Sequence, residues 1–346
     1  MTVVYVSDDN YAHLLGISLT SLYENNKDVI ELNVFIIDDG ISDRNKKKIY
    51  DTARRFGREV CFFIADISIS NSKMGKWPKN IFYRLYFVSA FGDKLSDERV
   101  LYLDCDTIVA DSIQELWNTN LGGKACAAVY ECIGDRHKKK CMLGKSLPYF
   151  NSGVLLMDVQ KWKEINVENK VLQILGMNCN TKMEYPDEGI INYLLKENIK
   201  PLSPRYNLTT IKCVFSYKEL KMYRKSRFMY SEKEYIDAKN EPCIIHYTNN
   251  FLVRRPWQSG DKYSHPLEKY FVRYKNDSEW KDIETPQEHV GLLKKIVRIL
   301  FGINGMLCVV PTGFIYSYIK PLKYDKLIVS KEDNGWAYKL DDPERI

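Results

Sequence analysis

Short apolar runs alternate with stretches of helical spacing through the first hundred residues. Residues 2–6, Thr-Val-Val-Tyr-Val, read as a buried strand. In 11–23, Leu14, Leu15, Ile17, Leu19 and Leu22 recur near helical spacing. A second strand is predicted over 31–37, then a helix over 42–56 with Ser42 as its N-cap, then a third strand over 59–65. Residues 80–90 read as one helix, and the apolar run Arg99-Val100-Leu101-Tyr102-Leu103 as a strand. This rhythm predicts an α/β fold with a single Rossmann-like sheet, mixed but mainly parallel, flanked by helices. Ser7-Asp8-Asp9-Asn10-Tyr11 follows the first strand where a dinucleotide fold would carry G-x-G-x-x-G.

The second half is mixed. Strands are predicted over 125–130, 153–157 and 243–247, and a helix over 188–196. Residues 212–233 hold seven Lys or Arg against two Glu, interleaved with tyrosines, and read as a solvated surface. The run Arg136-His137-Lys138-Lys139-Lys140 reads as a solvated loop. From about residue 264 the composition changes. Over 289–301, Leu293, Ile296, Val297 and Leu300 share one helical face, with Lys294, Lys295 and Arg298 opposite. That is the pattern of a helix lying in a membrane interface, and equally of one packed on the core. The 21 uncharged residues between Arg298 and Lys320 approach the length of a span, but Gly302, Gly305, Pro311 and Gly313 interrupt them. The expectation is a C-terminal amphipathic helical extension over 266–346, with peripheral membrane contact through 289–323.

With 346 residues, 45% hydrophobic and 28% charged, the chain has the composition of a globular protein with ample core. A net charge of +6 suits phosphorylated or membrane-surface ligands, and no nucleic-acid motif is present. Nine cysteines without C-x-x-C pairing point to reduced thiols in the cytoplasm rather than a zinc site or a disulfide framework. Asn207-Leu208-Thr209 matches a glycosylation acceptor that such a setting would leave unused.

The candidate chemistry centres on Asp104-Cys105-Asp106, directly after the strand 99–103. Open α/β sheets bind ligands at the carboxyl ends of their strands. Two carboxylates aimed at one point repel and raise each other's pKa unless a cation sits between them. Hard divalent ions that still carry substrate phosphates are held by such carboxylates.

Phe82-Tyr83-Arg84-Leu85, Tyr149-Phe150-Asn151-Ser152-Gly153-Val154, Tyr185-Pro186-Asp187-Glu188-Gly189, Ile245-His246-Tyr247 and Arg255-Pro256-Trp257 stand in order around this triplet. Together with the Asp8-Asp9-Asn10-Tyr11 turn, they make residues 1–265 resemble the family 8 glycosyltransferases, retaining enzymes that include bacterial lipopolysaccharide galactosyl- and glucosyltransferases and glycogenin. The resemblance implies a GT-A fold, a divalent metal (Mn2+, or Mg2+) and a UDP-hexose donor. It implies that Val6, Asp8, Asn10 and Tyr11 hold the nucleoside, with Asn10 near the ribose and Tyr11 against the uracil. Asp104, Asp106 and His246 would ligate the metal, with Cys105 against the donor between them. Arg84 and Asn151 would contact the donor sugar or phosphates, Asp187 would hold sugar hydroxyls, and the acceptor would be a glycan or glycolipid. On this resemblance the chain is a hexosyltransferase acting at the inner face of the cell membrane on a lipid-linked or cell-surface polysaccharide acceptor.

The sequence departs from the family pattern in two places. Glu188 stands where relatives often have Gln, and a carboxylate there would stabilise an oxocarbenium-like state or attack as a nucleophile. After His246 a longer, Gly-free link leads to Arg254-Arg255-Pro256-Trp257, where Arg255, with Arg254 as the alternative, would replace a lysine as a phosphate clamp. Two rivals remain at this level. Haloacid dehalogenase-type phosphatases also place D-x-D after an apolar strand, with Asp104 and Asp106 then as nucleophile and acid. A nucleotide-sugar binding protein without chemistry is the other.

Overall fold

The computed structural model describes residues 1–64, 77–178 and 181–329. Ala65 of the expected third strand, Cys179 and the end of the expected extension lie outside the described residues.

Seven strands form the central sheet: β1 (Thr2–Ser7), β2 (Asn33–Asp38), β3 (Val60–Ile64), β4 (Arg99–Leu103), β6 (Cys126–Ala128), β7 (Val154–Asp158) and β8 (Ile199–Pro201), in the order β3-β2-β1-β4-β7-β6-β8. The first four run parallel, β7 runs antiparallel to both β4 and β6, and β8 is parallel to β6. The mainly parallel α/β sheet expected from the sequence is present. Side chains alternate across it: Val3 and Tyr5 enter one apolar layer while Val4 enters the other. Being buried on both faces is why β1 and β4 read as continuous apolar runs.

The helix Ala12–Glu24 covers one face, and Asp43–Arg55 begins at Ser42, whose Oγ accepts from Asn45 N. The single helix expected over 80–90 is instead a 3-10 helix, Lys79–Leu85, followed by the short helix Phe87–Phe91. The break keeps Arg84 turned toward the sheet end, with its Nε donating to Ile81 O at 3.0 Å. The helix expected over 188–196 starts earlier, at Pro186, because proline fits the first helical position.

A second sheet was not legible in the sequence. It joins β5 (Thr107–Val109), β10 (Ile244–His246) and β9 (Leu208–Thr209) in the order β5-β10-β9. Residues after 265 return to the core. Phe271, Tyr274 and Trp280 join the layer under Ala12–Glu24, and Trp280 packs so closely on Gly16 that a Cβ there would lie 1.9 Å from its ring.

The basic segment 212–233 is not simply solvated. It folds into the helices Thr210–Val214, Tyr217–Arg224 and part of Glu232–Asn240, and buries Lys212 and Arg224. Against it pack the helix Gly305–Phe314 and the π-helical turn Ile315–Ile319, with Ile211, Phe215, Tyr223, Val309 and Tyr316 between them. The basic run after residue 135 is likewise a helix, Asp135–Lys140, with His137 and Lys138 buried. No helix among the described residues is long and apolar enough to cross a membrane. Asn304 divides the uncharged run, capping the second helix through Met306 N and Leu307 N.

Candidate active site

The strand pairing assembles the site. β10 lies antiparallel to β5 with His246 opposite Thr107, and Tyr247 N donates to Asp106 O at 2.9 Å. This brings a ring from 140 residues downstream beside the carboxylates that follow β4. His246 Nε2 lies 3.1 Å from Asp106 Oδ1 and 3.6 Å from Asp104 Oδ2. One ligand atom from each of Asp104, Asp106 and His246 falls within 4.8 Å of the others. On the other side β7 pairs with β4, so Asp104 N donates to Gly153 O at 2.9 Å. A Cβ at Gly153 would lie 2.2 Å from His246 Cε1 and 2.8 Å from Asp104 Oδ2, so only glycine fits beside the trio.

Burial raises the Asp104 pKa, and Arg84 and His246 offset this only in part. Asp106 is also pushed up by burial, but His246 and Arg255 carry it below its ordinary range. For His246, burial disfavours the imidazolium, yet Asp106 and Asp104 outweigh it and raise its pKa. The trio can hold positive charge between two acids.

Arg84 crosses the floor. Its Nη1 donates to Ser152 O at 3.1 Å and lies 3.0 Å from Asp104 Oδ1, its Nε lies 3.6 Å from Asp187 Oδ2, and its guanidinium stacks over the Tyr102 ring. Asp187 accepts from Ser152 Oγ at 3.1 Å. Glu188, in the first turn of the helix Pro186–Leu195, is buried and accepts from Asn151 Nδ2 at 3.1 Å and Ser152 N at 3.3 Å. Burial, then the neighbouring Glu131 and Asp187, push its pKa well above its ordinary value.

Arg84, Asp104, Asp106, Asn151, Asp187, Glu188, His246 and Arg255 all line one cavity of about 590 Å³. Arg254 does not join them: it is tied to Glu268 at 2.6 Å. Val6, Asp8, Asn10, Tyr11 and Cys105 stand outside the cavity lining at the adjoining ends of β1 and β4, where Cys105 Sγ donates to Val6 O. The Tyr11 ring is 44% exposed there.

Other residues in and behind the cavity wall had little or no sequence signal. Asn207, fully buried and so closed to glycosylation, accepts from His246 Nδ1 at 3.0 Å and donates to Asn151 Oδ1 at 2.7 Å. It fixes the ring so that Nε2 faces the two aspartates. Tyr102, whose hydroxyl donates to Asp104 Oδ1 at 2.6 Å, was legible in principle, since residues two apart on a strand share a face. The outer part of the cavity is lined by Glu131, Tyr223, Arg224, Tyr316 and Lys320. Arg224 pairs with Glu131 at 2.6 Å and donates to the Tyr316 hydroxyl. Eight cysteines lie among the described residues, and all are free.

Three kinds of comparison agree. The description of glycosyl transferase family 8 matches residues 2–260. General stress protein A of Bacillus subtilis is 28% identical over 296 residues, which is 83% of this chain and 96% of that protein. Lipopolysaccharide 1,2-glucosyltransferase of Escherichia coli is 29% identical over 308 residues, covering 85% of this chain and 82% of that one. In three dimensions the chain resembles the galactosyltransferase LgtC, solved in complex with donor and acceptor sugar analogs. That likeness has a TM-score of 0.64 and 22% identity, covers 81% of this chain and 96% of the other, and speaks to the fold. The family match takes in every strand that shapes the cavity floor, and the phosphatase reading of Asp104 and Asp106 falls away: the chain belongs to glycosyl transferase family 8.

Proposed function

We propose that the chain is a retaining hexosyltransferase that moves galactose or glucose from a UDP-sugar, with Mn2+ or Mg2+, to a lipid-linked or cell-surface polysaccharide acceptor. On this reading residues 1–265 form the transferase domain, residues 266–346 extend it, and the enzyme works in the cytoplasm, where its free thiols are at home. The observation that carries the reading is the meeting of Asp104, Asp106 and His246 in one cavity with Arg84 and Asp187. Two carboxylates and one imidazole on rigid strand ends suit a divalent ion. Such an ion, when bound, supplies Lewis-acid stabilisation of the diphosphate that leaves. The glucosyl- and galactosyltransferase names of the relatives support a hexose.

The chain's own residues divide the remaining work. Arg84, locked by Ser152 and Asp104, keeps a fixed positive charge where the diphosphate would leave; preorganised groups of this kind are worth ~3 kcal/mol in the transition state. Arg255 lines the cavity and stacks on Trp257, and its Nε has no hydrogen-bond partner among the described residues, which suits a donor to a phosphate. Asp187, 3.6 Å from Arg84 Nε, would accept hydrogen bonds from the sugar hydroxyls. Burial and two neighbouring carboxylates disfavour the charged form of Glu188, which suits a hydrogen-bond donor to the sugar or ring oxygen better than a standing nucleophile. Asn151 links Glu188 to the Asn207–His246 pair, so the sugar-facing and ion-facing groups are held in one network. Val6, Asp8, Asn10, Tyr11 and Cys105 would carry the nucleoside, with the exposed Tyr11 ring against the base.

The test is a thermal-shift panel of UDP, UDP-glucose and UDP-galactose with and without Mn2+, paired with an assay of UDP release. We expect UDP to stabilise the protein only when Mn2+ is present, and Asp104→Asn with Asp106→Asn to abolish the effect. Absence of both metal-dependent UDP binding and UDP release would overturn the proposal. Tight binding without turnover on any acceptor or on water would leave a nucleotide-sugar binding protein.

A further inference from the structure

The helix Leu292–Ile303 is amphipathic, but it is turned inside out. Lys294 and Arg298 turn toward the protein, together with Val297 and Phe301. Arg298 is fully buried and donates to Asp261 Oδ2 and Glu288 Oε2, both at 2.8 Å, and to Phe251 O at 3.2 Å. Lys294 pairs with Glu288 at 2.7 Å. The other apolar side chains point outward, leaving Leu292 and Leu293 76% and 77% exposed and Ile303 74% exposed. The surface continues through the next elements, with Leu307 at 68%, Phe314 at 53% and Leu322 at 69%. Exposed aliphatic and aromatic side chains spread over three successive elements form a patch that water does not tolerate without a partner.

The charge around the patch names that partner. Residues 289–324 contain five Lys or Arg and no Asp or Glu. With Lys294 and Arg298 turned inward and Lys320 paired to Glu184 at 2.6 Å, Lys295 and Lys323 remain exposed beside the apolar side chains. Two further cations come from other segments: Lys225 lies over the Phe314 and Tyr318 rings, and Arg136 over Tyr318. An apolar face rimmed by cations, in a segment that itself has no acid although Glu219 abuts Gly305 and Asp325 follows Lys323, matches a leaflet of anionic lipid.

We propose that Leu292–Leu322 seats this chain on an anionic lipid surface, with Leu293, Leu307 and Phe314 entering the acyl boundary and Lys295 and Lys323 meeting headgroups. The same segment walls the cavity from the other side, through Tyr316 and Lys320. Docking therefore holds the cavity's outer wall against the lipid, so that a lipid-borne acceptor reaches it without leaving the leaflet. This last step rests on the transferase reading; the docking itself does not.

The test is flotation of the full chain with vesicles of phosphatidylglycerol and phosphatidylcholine, against phosphatidylcholine alone. We expect flotation with the anionic vesicles only, weakened by added salt. Lys295→Glu with Lys323→Glu should lower partition by at least about tenfold. Leu293→Glu with Leu307→Glu should abolish it, while the Mn2+-dependent thermal shift with UDP stays that of the parent. Failure to float with either vesicle overturns the docking, and equal flotation with both overturns the choice of an anionic leaflet. Light scattering that shows a dimer made monomeric by the leucine pair of substitutions would assign the face to a second copy instead. Because UDP binding is read separately, loss of docking and loss of the transferase reading are distinguishable.

Discussion

At the scale of single residues, the candidate side chains are held in place by neighbours that lie behind the cavity wall. Asn207 is the clearest case: it engages both His246 and Asn151, and it is reached only through the β9–β10 pairing. Asn207→Ala is expected to weaken Mn2+ binding about 10–100-fold, measured by calorimetric titration; an unchanged affinity would remove its orienting role. His265 makes a second residue-level case. Burial drops its pKa from 6.5 to about 3. Below pH 6.5 the unfolded chain therefore takes up a proton that the folded chain refuses. Its contribution to stability is whole above that pH and drains away toward pH 3. Between pH 6.5 and 5 the loss should reach ~2 kcal/mol, and His265→Asn should flatten that part of the stability curve relative to the parent in urea titrations. Parallel curves for both proteins would show that His265 is not held neutral.

At the scale of elements, hydrophobic periodicity located the strands well and misjudged the surfaces. β1, β2, β4, β7 and β10 fall where apolar runs predicted them, because a strand buried on both faces leaves an unbroken signature. Lys212 and Arg224 read as solvated charge yet are buried; Arg224 is accepted there by Glu131 and the Tyr316 ring, both supplied from elsewhere in the chain. Arg298 misleads in the same way: helical spacing gave it a polar face, and only Glu288 and Asp261 decide that this face turns inward. Replacing it tests that assignment. Arg298→Met strands a buried Glu288 beside Lys294 and should cost ~3 kcal/mol in chemical denaturation, with residues 289–324 becoming the first segment cut by protease. A loss below ~0.5 kcal/mol, typical of surface substitutions, would mean that the helix is not held by this pair.

At the scale of the whole molecule, the C-terminal segment is structural as well as peripheral. Val309 and Tyr316 complete the layer over Ile211, Phe215 and Tyr223, and His137 bonds to both Glu184 and Tyr316 O. Deleting everything after Gly291 should therefore do more than detach the protein from lipid. It exposes that layer and leaves Arg224 without its tyrosine, so we expect a lowered Tm, binding of a hydrophobic dye and weakened UDP binding. A truncated chain that melts with the parent would show the segment to be a dispensable appendage. Point substitutions on the outward face are the proper probe of docking for the same reason.

The sequence alone determined the α/β rhythm, the carboxylate pair at the end of β4 and the ordered stretches that mark the family, because these depend on local periodicity and on residues near one another in the chain. It also carried Arg84, Asn151, Asp187, Glu188, His246 and Arg255 as candidates, and all six line the cavity. The tertiary structure decided the rest: the β5–β10 register that brings His246 to Asp106, the placing of Arg255 and not Arg254 in the cavity lining, the burial that raises the Glu188 pKa, and the outward turn of apolar side chains on a C-terminal helix. Each of these is a balance between desolvation and a partner far away in sequence, and no local pattern records which partner arrives.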